Sequence, residues 1–96
     1  MIIAVIGSSE ANEELSKLAT EVGYELAQNG VIIVCGGLDG VMKAACKGAK
    51  QAGGMTIGIL PGNDPKSANE FVDIPICTGM GYARNVIVVK TGLSVI

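Results

Sequence analysis

Val31-Ile32-Ile33-Val34-Cys35-Gly36-Gly37-Leu38-Asp39-Gly40-Val41-Met42 is the stretch that decides the fold. Its first five residues are continuously apolar and mostly β-branched, which suits a strand buried on both faces. Glycines at 36, 37 and 40 then break the strand, and small or apolar residues from Val41 onward recur at helical spacing. A strand that hands over to a helix through glycines leaves backbone N–H groups free at the helix start. That geometry binds anions, phosphate above all.

Upstream, residues 2–6 (Ile-Ile-Ala-Val-Ile) form a second apolar run, closed by Gly7. A helical pattern begins near Ala11, with one of Ser8 and Ser9 available to cap it. Leu15, Leu18, Ala19, Val22, Leu26 and Ala27 form its expected buried stripe, and Asn29-Gly30 ends it. Downstream, a second helix is expected from about Asp39 to Ala52, with Asp39 as its cap. Met55–Leu60 reads as a third strand, residues 61–65 as a turn-rich loop, and residues 72–76 as a short fourth strand interrupted by Pro75. Val86-Ile87-Val88-Val89 is strand-like by propensity, yet it lies between a glycine turn and Gly92. A crossover helix over 82–90 is expected there, because parallel strands need a crossover. Leu93–Ile96 starts a fifth strand.

This alternation predicts one α/β domain over residues 1–96: a Rossmann-like open parallel sheet, order about 3-2-1-4-5, with helices on both faces. The sequence stops inside an apolar strand pattern. The expectation is that it is the N-terminal part of a longer domain, or that a partner covers this end.

Composition narrows the function. The 96 residues are 49% hydrophobic and carry a formal net charge of −2, with seven basic residues scattered along the chain. An extended nucleic-acid footprint is therefore not expected. No apolar run reaches the ~18–20 residues of a membrane helix, so no membrane partner is expected. The absence of histidine removes Ser-His-Asp and Cys-His catalysis and leaves few ways to hold a transition metal, so no metal site is expected. Cys35, Cys46 and Cys77 show no C-x-x-C spacing and read as small buried hydrophobes. Their odd number and the lack of a secretory pattern after Met1 predict a cytoplasmic location.

In an open parallel sheet the ligand sits outside the carboxyl ends of the strands, at the switch point. With the expected order this falls between the first and fourth strands, and three turns converge on it. The first is Gly7, Ser8 and Ser9, where glycine admits a ligand to the backbone and two hydroxyls can donate to an oxyanion; capping a helix is the alternative role. The second is Gly36, Gly37, Asp39 and Gly40. It lacks the dinucleotide spacing, and no acidic residue follows about twenty positions later at the end of the next strand, which argues against ordinary NAD binding. The third is Thr78, Gly79, Met80 and Gly81, followed one helical turn later by Arg84 and Asn85. Arg84 is the only arginine, and its guanidinium suits bidentate phosphate recognition; a surface salt bridge is the alternative. Asn63 and Asp64, in the loop after the third strand, are further candidates for ligand contact.

Taken together, residues 5–9, 34–42, 48–54, 57–62 and 79–85 resemble the Lonely Guy (LOG) family, also labelled "lysine decarboxylase-like", across essentially the whole chain. The branch they are most similar to is that of the molybdenum-cofactor carrier proteins. The resemblance implies a bound nucleotide or molybdopterin-type ligand and a homo-oligomer built through the helices. Relatives in that family hydrolyse the N-glycosidic bond of nucleoside 5′-monophosphates, using an arginine of an Arg-Lys pair and a glutamate of a P-G-G-x-G-T-x-x-E motif. Arg84 matches that arginine and would be catalytic if the chain were an enzyme, whereas Asn85 stands where the lysine would be. The glutamate motif falls beyond the strand at 93–96 and is not in this sequence.

Three readings follow. The first is a module that binds a phosphorylated small molecule of nucleotide or pterin-phosphate type. The second is the N-terminal part of a nucleoside-monophosphate phosphoribohydrolase. The third is an assembly or regulatory domain without a ligand. Pyridoxal-dependent decarboxylation is disfavoured, because Lys43, Lys47 and Lys50 all fall on the outer face of their helix pattern.

Overall fold

A computed structural model describes residues 1–96 and places five strands, β1 (Ile2–Ala4), β2 (Ile32–Cys35), β3 (Thr56–Leu60), β4 (Ile74–Cys77) and β5 (Ser94–Val95), in one sheet. Every neighbouring pair is parallel, with β1 and β2 in register at Ile3 opposite Ile33. Three helices complete the fold: α1 (Glu13–Gln28), α2 (Val41–Gln51) and α3 (Arg84–Thr91). The α/β architecture is as expected, including a helix rather than a strand at Val86–Val89. Tertiary position overrode β-propensity there, and only Val88 of the four is fully buried.

The strand order is β4-β3-β2-β1-β5, not 3-2-1-4-5. The connection from β3 to β4 holds only a short 3-10 turn, Pro65–Ser67. It hugs the sheet through Asn69, whose N–H donates to the Gly37 carbonyl at 2.8 Å and whose side chain donates to the Leu38 carbonyl at 2.7 Å. With no helix to carry the chain across, β4 is laid beside β3. The long crossing is made by α3, which packs on β3, β2 and β1 and delivers β5 to the far side of β1. The switch point therefore lies between β1 and β5.

Period-two alternation sorts the core into two faces. Val5 and Ile33 meet Ala19, Ala27, Val41, Ala44, Ala45 and Ala49 of the α1–α2 layer. Ala4, Val34 and Ile59 meet Val88 of α3 on the other face. α1 is capped by Asn12, whose side chain accepts the Leu15 N–H at 2.8 Å, and neither Ser8 nor Ser9 plays that part. Its buried residues are Ala19, Gly23 and Ala27, whereas Leu18 is 57% exposed. Of the expected stripe, Ala19 and Ala27 are buried and Val22 and Leu26 half-buried, whereas Leu15 and Leu18 are exposed and Gly23 takes a buried place. A methyl group on Gly23 would lie 2.0 Å from the Ala45 carbonyl oxygen, and one on Gly48 would lie 1.9 Å from that of Thr20. The two helix backbones touch through this reciprocal pair, which leaves no room for leucines between them.

Among the described residues, no helix is long and apolar enough to cross a membrane. At the amino-terminal ends of β3 and β4, Asp73 accepts from the Lys50 ammonium and the Thr56 N–H, each at 3.0 Å. Partial burial pushes this carboxyl up, but Lys50 and the Thr56 donors outweigh it and hold it below the usual carboxylate range.

Candidate functional site

A cavity of ≈350 Å³ opens at the carboxyl ends of β1 and β2, against the first two turns of α3. Its volume is at the lower end of the range for small-molecule sites, about 300–1,000 Å³. Five of the expected site residues line it: Gly7, Ser9, Gly36, Arg84 and Asn85. The rest of the wall is apolar, with Val5 and Ile6 after β1, Leu38 and Met42 from the second turn and α2, and Val88 and Val89 from α3. Tyr82 stands at the same cavity. These apolar residues read as core in the sequence, and only Tyr82, an aromatic beside a glycine turn, carried a signal that would have flagged it.

Arg84 is 5% exposed, so it is neither a surface residue nor half of a surface salt bridge. Its Nη1 donates to Asn85 Oδ1, and its Nη2 donates to the Gly36 carbonyl at 3.5 Å. Its Nε is buried and has no partner. Among the described residues, the ion pairs are Lys43–Glu70 and Lys50–Asp73, and neither involves Arg84. A buried cation without a counter-charge is costly, and an anion in the cavity would relieve that cost. Gly36 is required for this arrangement: a methyl group there would lie 2.7 Å from both Arg84 Nη2 and Met42 Sδ.

The other expected residues hold the frame rather than the cavity. The Ser8 carbonyl accepts the Val41 N–H at 3.0 Å, which uses the first N–H of α2 that was expected to face a ligand. Gly40 has φ +67°, and a methyl group on it would lie 2.3 Å from the Ser8 carbonyl oxygen, so this glycine lets the first two turns lock together. Gly40, not Asp39, is the α2 N-cap, and Asp39 makes no capping bond. Gly37 packs against Leu60 and Gly58.

Thr78, Gly79, Met80 and Gly81 do not reach the cavity. Thr78 Oγ1 donates to the Leu60 carbonyl at 2.7 Å, Gly79 N–H to Gly62 at 3.0 Å and Gly81 N–H to Pro61 at 2.9 Å. Thr78 Oγ1 also accepts the Met80 N–H at 3.2 Å. The strand order explains this: β4 lies at the sheet edge, so its turn sits over β3, two strands from β1. Asn63 and Asp64 are likewise structural, Asn63 lying against Gly79 and Asp64 capping the 3-10 turn through the Lys66 N–H at 2.9 Å.

Packed with the cavity residue Met42, Cys35 and Cys46 are fully buried with their Sγ atoms 3.5 Å apart. The hydrogen bond from Cys46 holds the Cys35 thiol below its usual range, against the effect of burial and with help from the Gly37 N–H and Arg84. The same contact, with burial, pushes Cys46 up. Cys77 is exposed on the edge strand β4, contrary to the expected burial.

The profile of the SLOG cluster4 family matches residues 1–96. The chain belongs to the SLOG cluster4 family. Similarity to individual proteins extends over the same region of this SLOG domain. An uncharacterized protein of Archaeoglobus fulgidus is 47% identical over 91 residues, 95% of this chain and 60% of that protein. A solved molybdenum cofactor binding protein from Rippkaea orientalis is 43% identical, with a TM-score of 0.94 over 98% of this chain and 59% of its own. A solved Moco carrier protein from Chlamydomonas rheinhardtii is also 43% identical, with a TM-score of 0.84 over 98% of this chain and 58% of its own. This SLOG chain thus spans about three-fifths of the length of the relatives it matches.

Proposed function

We propose that the cavity binds a small anionic ligand of molybdopterin type and that the chain serves as part of a binding or carrier module. The observation that carries this reading is Arg84, a buried cation with an unpartnered Nε at a cavity whose other walls are mostly apolar. Such a site suits a ligand with one anionic group and a sizeable less polar body. The Rippkaea and Chlamydomonas relatives, named for molybdenum cofactor binding and Moco carriage, support the pterin class. The residues present fit such cargo: Arg84 for the anion, Ser9 and Asn85 as further polar contacts, and the Gly36 cradle that keeps the guanidinium in place.

Hydrolysis of nucleoside monophosphates is the weaker reading. It calls for a carboxylate near the anomeric carbon. Among the described residues that line the cavity, none is Asp or Glu.

The test is to mix the protein with molybdenum cofactor released from a molybdoenzyme, and in parallel with AMP. Protein-bound pterin and molybdenum are measured after gel filtration, and ribose 5-phosphate is assayed. Co-elution of pterin and molybdenum without ribose 5-phosphate is the expected result. Release of ribose 5-phosphate from AMP would replace the carrier reading with the hydrolase. No bound pterin and no turnover would leave the assembly-domain reading.

A further inference from the structure

We infer that Tyr82 is the stacking residue of this cavity. The ligand is gripped by its anionic group at Arg84 and presents a planar heteroaromatic ring to Tyr82. The inference rests on the anion-binding reading above and adds the orientation and shape of the ligand.

Tyr82 is 87% exposed although it lines a cavity with apolar walls. The other two aromatic residues lie elsewhere: Phe71 packs beside the Cys35–Met42–Cys46 cluster, and the Tyr24 hydroxyl accepts from Gln28. The backbone that carries Tyr82 is anchored, since the Gly81 N–H donates to the Pro61 carbonyl at 2.9 Å and the Ala83 N–H to the Met80 carbonyl at 3.3 Å. With the backbone already held, a ligand that covers the ring has only the side-chain rotation left to fix.

Arg84 lies two residues later, at the start of α3, and is 5% exposed where Tyr82 is 87% exposed. The cation is therefore deep and the ring shallow. An anion at Arg84 goes to the deep end, so the body of the ligand extends outward along the apolar wall, to which Leu38 and Val89 belong, toward Tyr82. A bare oxyanion would satisfy Arg84 but leave those walls in water. A ligand with a flat π face satisfies both ends, because base–aromatic stacking tolerates any planar ring.

Isothermal titration of wild type, Tyr82→Ala and Tyr82→Phe with two probes tests this. One probe is a pterin carboxylate, planar and anionic. The other is hexyl phosphate, anionic and apolar without a ring. The expected result is that Tyr82→Ala weakens the pterin carboxylate about tenfold, that Tyr82→Phe retains it, and that hexyl phosphate changes less than about threefold in either variant. Equal pterin affinity in wild type and Tyr82→Ala overturns the inference, as does an equal loss for both probes. Binding of hexyl phosphate but not the pterin overturns it while the anion site stands. If wild type binds neither probe, the anion-binding reading itself fails and this inference with it. Tyr82 is exposed, so its replacement does not threaten the fold.

Discussion

Arg84 Nη2 lies 3.5 Å from the Gly36 carbonyl oxygen and joins two residues 48 positions apart. This long bond fastens α3, on one face of the sheet, to the end of β2. The only arginine of the chain is thereby held at the cavity beneath the first and second turns.

Replacing Gly36 tests that arrangement directly. In Gly36→Ala the new methyl group meets Arg84 Nη2 and Met42 Sδ, each 2.7 Å away. Both are ends of flexible side chains, so the fold is expected to survive while the guanidinium is displaced. Affinity for an anionic probe is expected to fall about tenfold, ~1.4 kcal/mol. Calorimetric titration with a circular-dichroism melt separates the two effects, and unchanged affinity would detach Gly36 from the site.

Arg84→Met keeps most of the side-chain volume and removes the charge. Because that charge is buried with an orphaned Nε, its loss is expected to leave the melting temperature unchanged or raised. Binding of the same anionic probe is expected to weaken at least about tenfold. A destabilised variant that binds normally would make Arg84 a structural residue only.

The helix contact sets the largest expected loss of stability. In Gly48→Ala the methyl group would lie 1.9 Å from the Thr20 carbonyl oxygen, where backbone has to move. Overpacking of this kind costs about 3 kcal/mol or more, a drop of roughly 12 °C or more in a domain of this size. Gly62→Ala, with nothing within 4 Å of the added methyl, is expected to melt close to wild type. Thermal melts of the two variants check the contrast.

Asp73 links stability to pH. Its folded pKa is lowered, so its contribution is present above the unfolded value, about 3.9, and is lost as pH falls through the folded value. Asp73→Asn is therefore expected to be less stable than wild type at neutral pH, with the difference closing in the acid range below that unfolded value. Urea melts of both proteins across acid pH measure it, and a constant gap would show that the carboxylate charge is not what matters.

The α1 layer leaves an apolar surface. Leu15 is 39% and Leu18 57% exposed, and they share a shallow depression with Ile6 and Ile96. If this face packs against a second copy of the chain, the protein is a homo-oligomer. Sedimentation at high micromolar concentration is expected to show an assembly that Leu18→Glu weakens. A wild-type monomer would exclude self-association through this face.

Where sequence expectations held, they rested on local periodicity. The apolar run of β2 and the small-residue helix after it are legible because burial on both faces and helical spacing leave direct marks on neighbouring residues, whereas α3 is expected only from the need of parallel strands for a crossover, against its local β-propensity. Turn chemistry at strand ends is local too, and five of the residues it singles out, Gly7, Ser9, Gly36, Arg84 and Asn85, line one cavity. The errors were of another kind. Asp39 is expected as a helix cap, with one of the serines as an alternative cap, and the caps are Gly40 and Asn12. Thr78–Gly81 was placed at the ligand and instead bonds to the end of β3 and the loop after it.

By itself, then, the sequence determined the alternation of strands and helices, the parallel sheet and the presence of one arginine beside a glycine turn. These follow from hydrophobic spacing and backbone preference, which act over a few residues. The tertiary structure alone decided the order β4-β3-β2-β1-β5, the burial of Arg84 beside Gly36 and the glycine contact between α1 and α2. Each of these depends on which backbone can approach which across tens of residues. Close packing settles that approach, and no local pattern records it.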